Sequence, residues 1–278
     1  MNILEFASLI CLGSFGAGFL GALTGLGGGV VIVPMLTLLF GVNIRLAIGA
    51  SLISVIATSS GAAAAYVKEG FSNIRIGMFL EIATTTGAII GALMHPKLST
   101  GLLAVILGII LLYSAFLSSR PRKDETPSDH PDKLAVLLRM QGSYPSLDGI
   151  KEYQVRQVPQ GFGLMFIAGA VSGLLGIGSG AMKVLAMDQV MRIPFKVSTT
   201  TSNFMIGVTA AASAGIYLAG GYIRPGLTMP VVLGVLAGSL AGAKVLVKTK
   251  TSKLRIVFGV VVFILAVEMI YNGITGKI

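Results

Sequence analysis

Apolar residues fall into ten runs, at roughly 3–23, 29–40, 45–67, 74–94 and 99–118, then 161–174, 180–191, 196–218, 226–246 and 254–273. Several reach the ~20 residues that a helix needs to cross the hydrocarbon core of a bilayer. The runs at 29–40 and 180–191 are too short for that. Each reads as the returning arm of a re-entrant helical hairpin, with a glycine-rich tip at membrane depth. Irregular backbone is tolerated there only against protein or a water-filled cavity.

The second five runs repeat the first five without gaps at an offset of 151. Gly21–Pro34, GALTGLGGGVVIVP, aligns with Ser172–Leu185, SGLLGIGSGAMKVL, so that Gly25, Gly27 and Gly29 match Gly176, Gly178 and Gly180. The same register pairs Ser51 with Ser202, Thr58 with Thr209, Tyr66 with Tyr217, Gly87 with Gly238, Gly91 with Gly242 and Gly108 with Gly259. This is an internal duplication. Broken helices at corresponding positions of two halves are the sequence mark of a transporter's binding site.

Residues 119–160 form the one long polar interval. Its first part has the charged, proline-bearing composition of a linker. Lys133–Met140 and Ile150–Val158 are strand-like runs around a turn with Pro145, Asp148 and Gly149, which suggests a small β-hairpin; a disordered linker is the other reading. The chain thus divides into a first membrane repeat (1–118), the linker (119–160) and a second membrane repeat (161–278).

Charge then selects a topology. If each repeat crosses the membrane four times, the halves are parallel and Lys plus Arg divide 11 to 9 between the two sides, Lys183 aside. If each hairpin returns to its own side, the halves are inverted. The linker then shares its side with Lys68, Arg75, Arg192, Lys196 and the Lys244–Arg255 cluster, and the division becomes 16 to 4. Positive loops favour the cytoplasm, so the inverted arrangement is expected, linker inside and both termini outside. The expected fold is an all-α polytopic membrane protein of two inverted repeats, each a broken helical hairpin plus three transmembrane helices.

Composition agrees with a lipid environment. The chain is 54% hydrophobic and 12% charged, with mean hydropathy +0.87, against about 25% charged in soluble domains. The net charge of +10 sits between apolar runs rather than along one face, so it reads as a topology signal and not as a nucleic-acid surface. No His/Cys/carboxylate cluster has metal spacing, no nucleophile–base pairing is recognisable, and the glycines lack the strand of a dinucleotide fingerprint. Neither catalytic residues nor a cofactor are expected. His95, at a segment end, and His130, in the linker, read as surface residues.

At the two tips, Gly27, Gly28 and Gly29, and Gly178, Ser179 and Gly180, would leave backbone N–H groups free at the positive ends of half-helices, a site for an anion. Tight helix packing by small residues is the alternative. Lys183 lies three positions beyond Gly180 in an otherwise apolar arm, where its counterpart is Ile32. An ammonium at membrane depth is costly unless it faces a cavity or a partner. It would complement an anion at the half-helix end, with snorkelling or a pair with Asp188 as the plain alternatives. Ser51, Ser202 and Asn203 could hydrogen-bond the same ligand, or bond helix backbone instead. Glu81, mid-segment, is a candidate for proton coupling, for pairing with Lys183 or for helix packing.

GLGGGVVIVP at 25–34, GIGSGAMKVL at 176–185 and KVSTTTSNFMIGVTAA at 196–211 resemble the sulfite exporter TauE/SafE family of membrane transporters, over nearly the whole chain. The resemblance implies secondary transport of a small sulfur-containing anion (sulfite, sulfonate or sulfoacetate type) across the bacterial inner membrane. A passive anion channel is the alternative, and a homo-oligomer stays open. Two departures fall at the expected site: Ser179 stands where a third glycine is usual, and Leu185 where a proline is usual.

Overall fold

A computed structural model of the chain describes residues 2–24, 28–68, 72–119, 132–146, 149–248 and 252–278. Every apolar run forms a helix close to its expected bounds. The first half holds α1 (Ile3–Thr24), α2 (Gly29–Pro34), α3 (Ile44–Lys68), α4 (Ile74–Met94) and α5 (Thr100–Ser119). The interval between halves contributes α6 (Lys133–Leu137), β1 (Gly142–Ser146) and β2 (Gly149–Tyr153). The second half holds α7 (Val158–Leu175), α8 (Gly180–Leu185), α9 (Phe195–Ala219), α10 (Pro225–Lys248) and α11 (Ser252–Ile274). Among the described residues, five helices are long and apolar enough to cross a membrane: 4–22, 74–97, 158–175, 195–219 and 225–242. The described apolar stretches of α3, α5 and α11 are shorter.

Both short arms form as expected and continue in the same unusual way. After α2 the backbone widens into a π-helical turn at Met35–Leu39, and after α8 into another at Ala186–Val190. The two turns lie at matching positions of the repeat. Pro34 precedes the first but Leu185 precedes the second, so proline is not what sets the turn.

Each arm folds back beside the helix before it. Phe6 in the first turns of α1 packs edge-on against Phe40 with ring centroids 5.6 Å apart, and the Arg156 N–H donates to the Met191 carbonyl at 3.0 Å. Phe40 lies close in sequence to Arg45, which donates to the Leu98 carbonyl at 2.7 Å. That is the end of the bundle where Thr100 meets Ile278. Met191 lies beside the residues that follow the β-hairpin.

The packing repeats with the halves exchanged. Helix α1 lies along α10 as α7 lies along α4, α3 meets α10 as α9 meets α4, and α3–α9 and α5–α11 pair each helix with its own counterpart. Glycine makes the tightest crossings. A Cβ at Gly87 would strike the Phe166 carbonyl, and one at Gly238 the Phe15 carbonyl. Gly91 and Gly242 stand likewise against the carbonyls of Ala170 and Phe19, and Gly169 and Gly18 against those of Thr84 and Val235. All three pairs obey the offset of the sequence repeat. Without a hydrophobic drive between helices in lipid, such close backbone approach supplies the packing that holds them.

Part of the interval between halves differs from expectation. Lys133–Met140 is not a strand: its first five residues form α6, because Asp132 caps the helix by accepting the Leu134 N–H at 3.1 Å. The other Asp132 oxygen accepts the Val158 N–H at 3.0 Å and ties the interval to the start of α7. The antiparallel strands are Gly142–Ser146 and Gly149–Tyr153, in the register Gly142 to Tyr153 and Ser146 to Gly149. Pro145 and Gly149 thus lie in the strands rather than in the turn. Residues 154–157 leave the hairpin, and α7 begins at Val158, so the strand-like run Ile150–Val158 is strand only as far as Tyr153. His130, the basic residues before it and Gly27 at the first tip fall outside the described residues.

The crossings can be tested directly. Gly87→Val should force α4 from α7 and lower stability by about 1–3 kcal/mol or more, the usual cost of overpacking. Gly163→Ala, on α7 where nothing lies within 4 Å, should leave the unfolding midpoint in detergent within a degree or two. Equal midpoints for the two variants would remove the close approach as the basis of the fold.

Candidate functional site

The two glycine-rich tips touch. A Cβ on Gly29 would lie 2.6 Å from the Ser51 hydroxyl and 3.0 Å from the Cα of Ile177 in the other tip. Ser51, on α3, donates to the Gly176 carbonyl at 2.7 Å. A first-half helix thus holds the second-half break in place. At that break Gly176, Gly178 and Ser179 all have positive φ, at 63°, 74° and 45°. Such a conformation is free for glycine and costs roughly 1–2 kcal/mol for a residue with a Cβ. Gly28, the counterpart of Ser179, has φ −66° instead. The residue with a side chain carries the strained backbone, a combination that tends to mark functional sites.

The same helical face serves both tips. On α3, Ser51 and Val55 flank Gly29, and Thr58 lies beside Gly28. On α9 the matching residues run along α8: Ser202 donates to the Gly180 carbonyl at 3.4 Å, Ile206 packs where a Cβ on Gly178 would go, and Thr209 meets Lys183. The spacing of three, four and seven residues puts these groups on one side of each helix.

Lys183 does not snorkel. It is fully buried, and its Nζ donates to Thr209 Oγ1 at 2.5 Å. Thr209 Oγ1 in turn lies 2.6 Å from Glu81 Oε1 and 3.0 Å from the Met205 carbonyl. Its single proton is better used on the carboxylate, since charge-assisted hydrogen bonds are the stronger ones. Thr85 donates to the same Glu81 oxygen at 3.1 Å, while Glu81 Oε2 is buried without a hydrogen-bond partner. The structure therefore brings Lys183 and Glu81 together through one hydroxyl, across α8, α9 and α4.

Other polar atoms are buried with no hydrogen-bond partner: Ser179 Oγ at the second tip, and Thr199 Oγ1 and the Asn203 amide nitrogen on α9. The Asn203 main chain is held separately, its carbonyl accepting from Ser59 Oγ, which also accepts the Gly207 N–H at 3.1 Å. An unpaired buried donor costs about 1–3 kcal/mol. Each could donate to a hydrogen-bond acceptor brought to it. Glu268 is exposed on α11. Thr209 and Ile206 were not singled out by sequence reasoning as site residues, although the match of Thr58 to Thr209 was visible in the repeat.

His95 departs from expectation. It is fully buried, its Nδ1 3.0 Å from the Leu174 carbonyl and its ring 4.7 Å from Tyr217 and 5.4 Å from Tyr222. The helix end that should have exposed it is covered by the end of α7 and by the connection between α9 and α10. Among the described residues, no group of His, Cys, Asp and Glu could hold a metal ion.

A duplicated bundle with two helix breaks meeting around buried polar groups belongs to the class of multi-pass membrane transporters. The chain is a member of the sulfite exporter TauE/SafE family, whose model matches residues 10–269. It is 29% identical to the probable membrane transporter protein YunE of Bacillus subtilis, over 98% of this chain and 99% of that protein. It is 24% identical to a probable membrane transporter protein of Xylella fastidiosa, over 95% of each. A third relative, the probable membrane transporter protein MJ0441 of Methanocaldococcus jannaschii, is 23% identical over 94% of each. No solved structure matches the chain.

The relay makes a stability prediction. Lys183→Met should cost roughly 3–5 kcal/mol, since it leaves Glu81 buried without its counter-charge. Adding Glu81→Gln should restore most of that loss. Unfolding midpoints in detergent for the two single variants and the pair give the coupling, and additive effects would mean that the two charges do not interact.

Proposed function

We propose that this protein is a secondary transporter of small sulfur-containing anions of the sulfite, sulfonate or sulfoacetate type, and that the anion binds where the two tips meet. The observation that carries this reading is the contact of the two helix breaks, with the Ser179 hydroxyl at the second break buried without a hydrogen-bond partner and the fully buried Lys183 one helical turn beyond it. Free N–H groups at the start of Gly29–Leu39 and of its counterpart add donors of the same sign. Gly27, Gly28, Gly29, Ser51, Gly178, Ser179, Gly180, Lys183, Ser202 and Asn203 make up the proposed site. Ser51 and Ser202 position the tips through carbonyl contacts.

The halves are inverted in this reading, with the linker cytoplasmic and both termini outside. Its support is that the first arm ends at Phe40, near Arg45 and the end of α4, whereas the second ends at Met191, against Arg156 beside the β-hairpin, together with the 16 to 4 division of Lys and Arg. One half then rocks against the other around the fixed site. Glu81 serves the coupling step: with the site empty it balances Lys183 through Thr209, and when an anion takes up the ammonium the carboxylate is released to accept a proton.

Proteoliposomes test this. Accumulation of radiolabelled sulfite or a sulfonate against its gradient is the expected result, and equilibration alone would identify a passive channel instead. Asn203→Leu should weaken anion binding at least tenfold with little change in unfolding midpoint; unchanged affinity would take the amide out of the site. Glu81→Gln should retain anion exchange while losing accumulation driven by a pH gradient, and a variant that still accumulates anion would exclude Glu81 from coupling.

A further inference from the structure

A polar recess lies beside the β-hairpin of the linker. It is a cleft of about 340 Å³ between the start of α4 and the β-hairpin, lined by Ser72, Asn73, Arg75, Arg139, Gln141 and Tyr153 among others. That size lies within the range of small-ligand sites. Arg75 and Arg139 line it and, among the described residues, no Asp or Glu does. The Ser72 hydroxyl is buried there without a hydrogen-bond partner.

The walls are built rather than incidental. Arg75 donates to the Arg139 carbonyl at 2.8 Å and joins the α4 start to the segment before β1. Asn73 donates to the Tyr153 hydroxyl at 2.7 Å and to the Met140 carbonyl at 3.3 Å, closing the other side. Arg139 adopts φ 48°, a conformation rare for a residue with a Cβ. Burial raises the Tyr153 pKa above its ordinary 10.0, against the opposing effect of its Asn73 hydrogen bond. The phenol therefore stays a neutral donor at physiological pH.

We propose that this cleft is a binding site for a phosphate group, held between the Arg75 and Arg139 guanidiniums with Ser72 and Gln141 as further hydrogen-bond partners. Planar guanidinium forks match phosphate oxygens in pairs. The cleft also touches the transport machinery: the Asn73 N–H donates to Thr201 Oγ1 at 3.0 Å, next to Ser202 and Asn203 on α9. A bound phosphate that fixes the α4 start thereby biases the position of α9, so the site is regulatory. The phosphate has two sources, a free phosphorylated metabolite or the headgroup of an anionic lipid, since basic recesses of this kind hold lipid headgroups as well.

The full-length protein in nanodiscs separates the two. In phosphatidylcholine discs, inorganic phosphate and AMP are titrated by calorimetry. In parallel, protein from discs of phosphatidylcholine with phosphatidylglycerol is analysed for retained lipid by native mass spectrometry. Arg139→Asn removes a guanidinium while suiting the left-handed backbone, so it should fold; Arg75→Gln is the second variant. Binding in the first arm that weakens about tenfold or more in both variants supports a free phosphate ligand. Preferential phosphatidylglycerol retention that both variants lose supports the headgroup. Absence of both signals in the unmodified protein, or signals that neither variant changes, overturns the proposal. Because both variants lie outside the tips, loss of sulfur-anion binding at the tips would not alter either readout.

Discussion

Close backbone contact between helices of opposite halves is the constraint on which the rest of this structure depends. Gly87 and Gly238, Gly91 and Gly242, and Gly169 and Gly18 each face a carbonyl of the partner helix with no room for a Cβ. In lipid, helices gain nothing from hiding apolar surface from one another, so packing and weak polar contacts must hold them. These crossings dock α1 and α7, the outer helices of the hairpins, onto α10 and α4 of the other half. Each broken arm is thereby carried to the interface between halves, and the two tips meet there.

Having brought two tips together, the fold places charge beside them. Lys183 is buried with Glu81, and a single threonine hydroxyl spans the two. An isolated buried ammonium is too costly to persist, whereas a pair with shared hydrogen bonds is tolerated and held in a defined geometry. The first half has no such arrangement, because Ile32 replaces the lysine and sits in the apolar core. Duplication built a symmetric scaffold, and this one position makes its two halves chemically unequal. The backbone follows the same division: Ser179 is left-handed where Gly28 is helical.

The interval between halves is part of the folded body. Asp132 ties it to the start of α7, and Asn73 and Arg75 tie it to the start of α4. Through Asn73 and Thr201 it also reaches α9. The β-hairpin is thus mechanically continuous with α9, the helix that carries Ser202 and Ile206 against the second tip.

Much of this was legible in the chain as written. Helix positions, the two broken arms and the duplication follow from apolar run length, glycine placement and a constant offset, which are local or periodic properties. The family was visible for the same reason, in contiguous motifs around Gly25–Pro34, Gly176–Leu185 and Lys196–Ala211. Glu81 as a partner for Lys183 stood among several readings, because nothing local ranks two groups 102 residues apart. Only the tertiary structure decided that Thr209 joins them, that His95 is covered by α7 and two tyrosines, and that Lys133–Leu137 is helix under an Asp132 cap. Each of those outcomes depends on groups brought close by folding, and closeness across the bundle is set by how helices cross, a quantity that residue order along one helix does not carry.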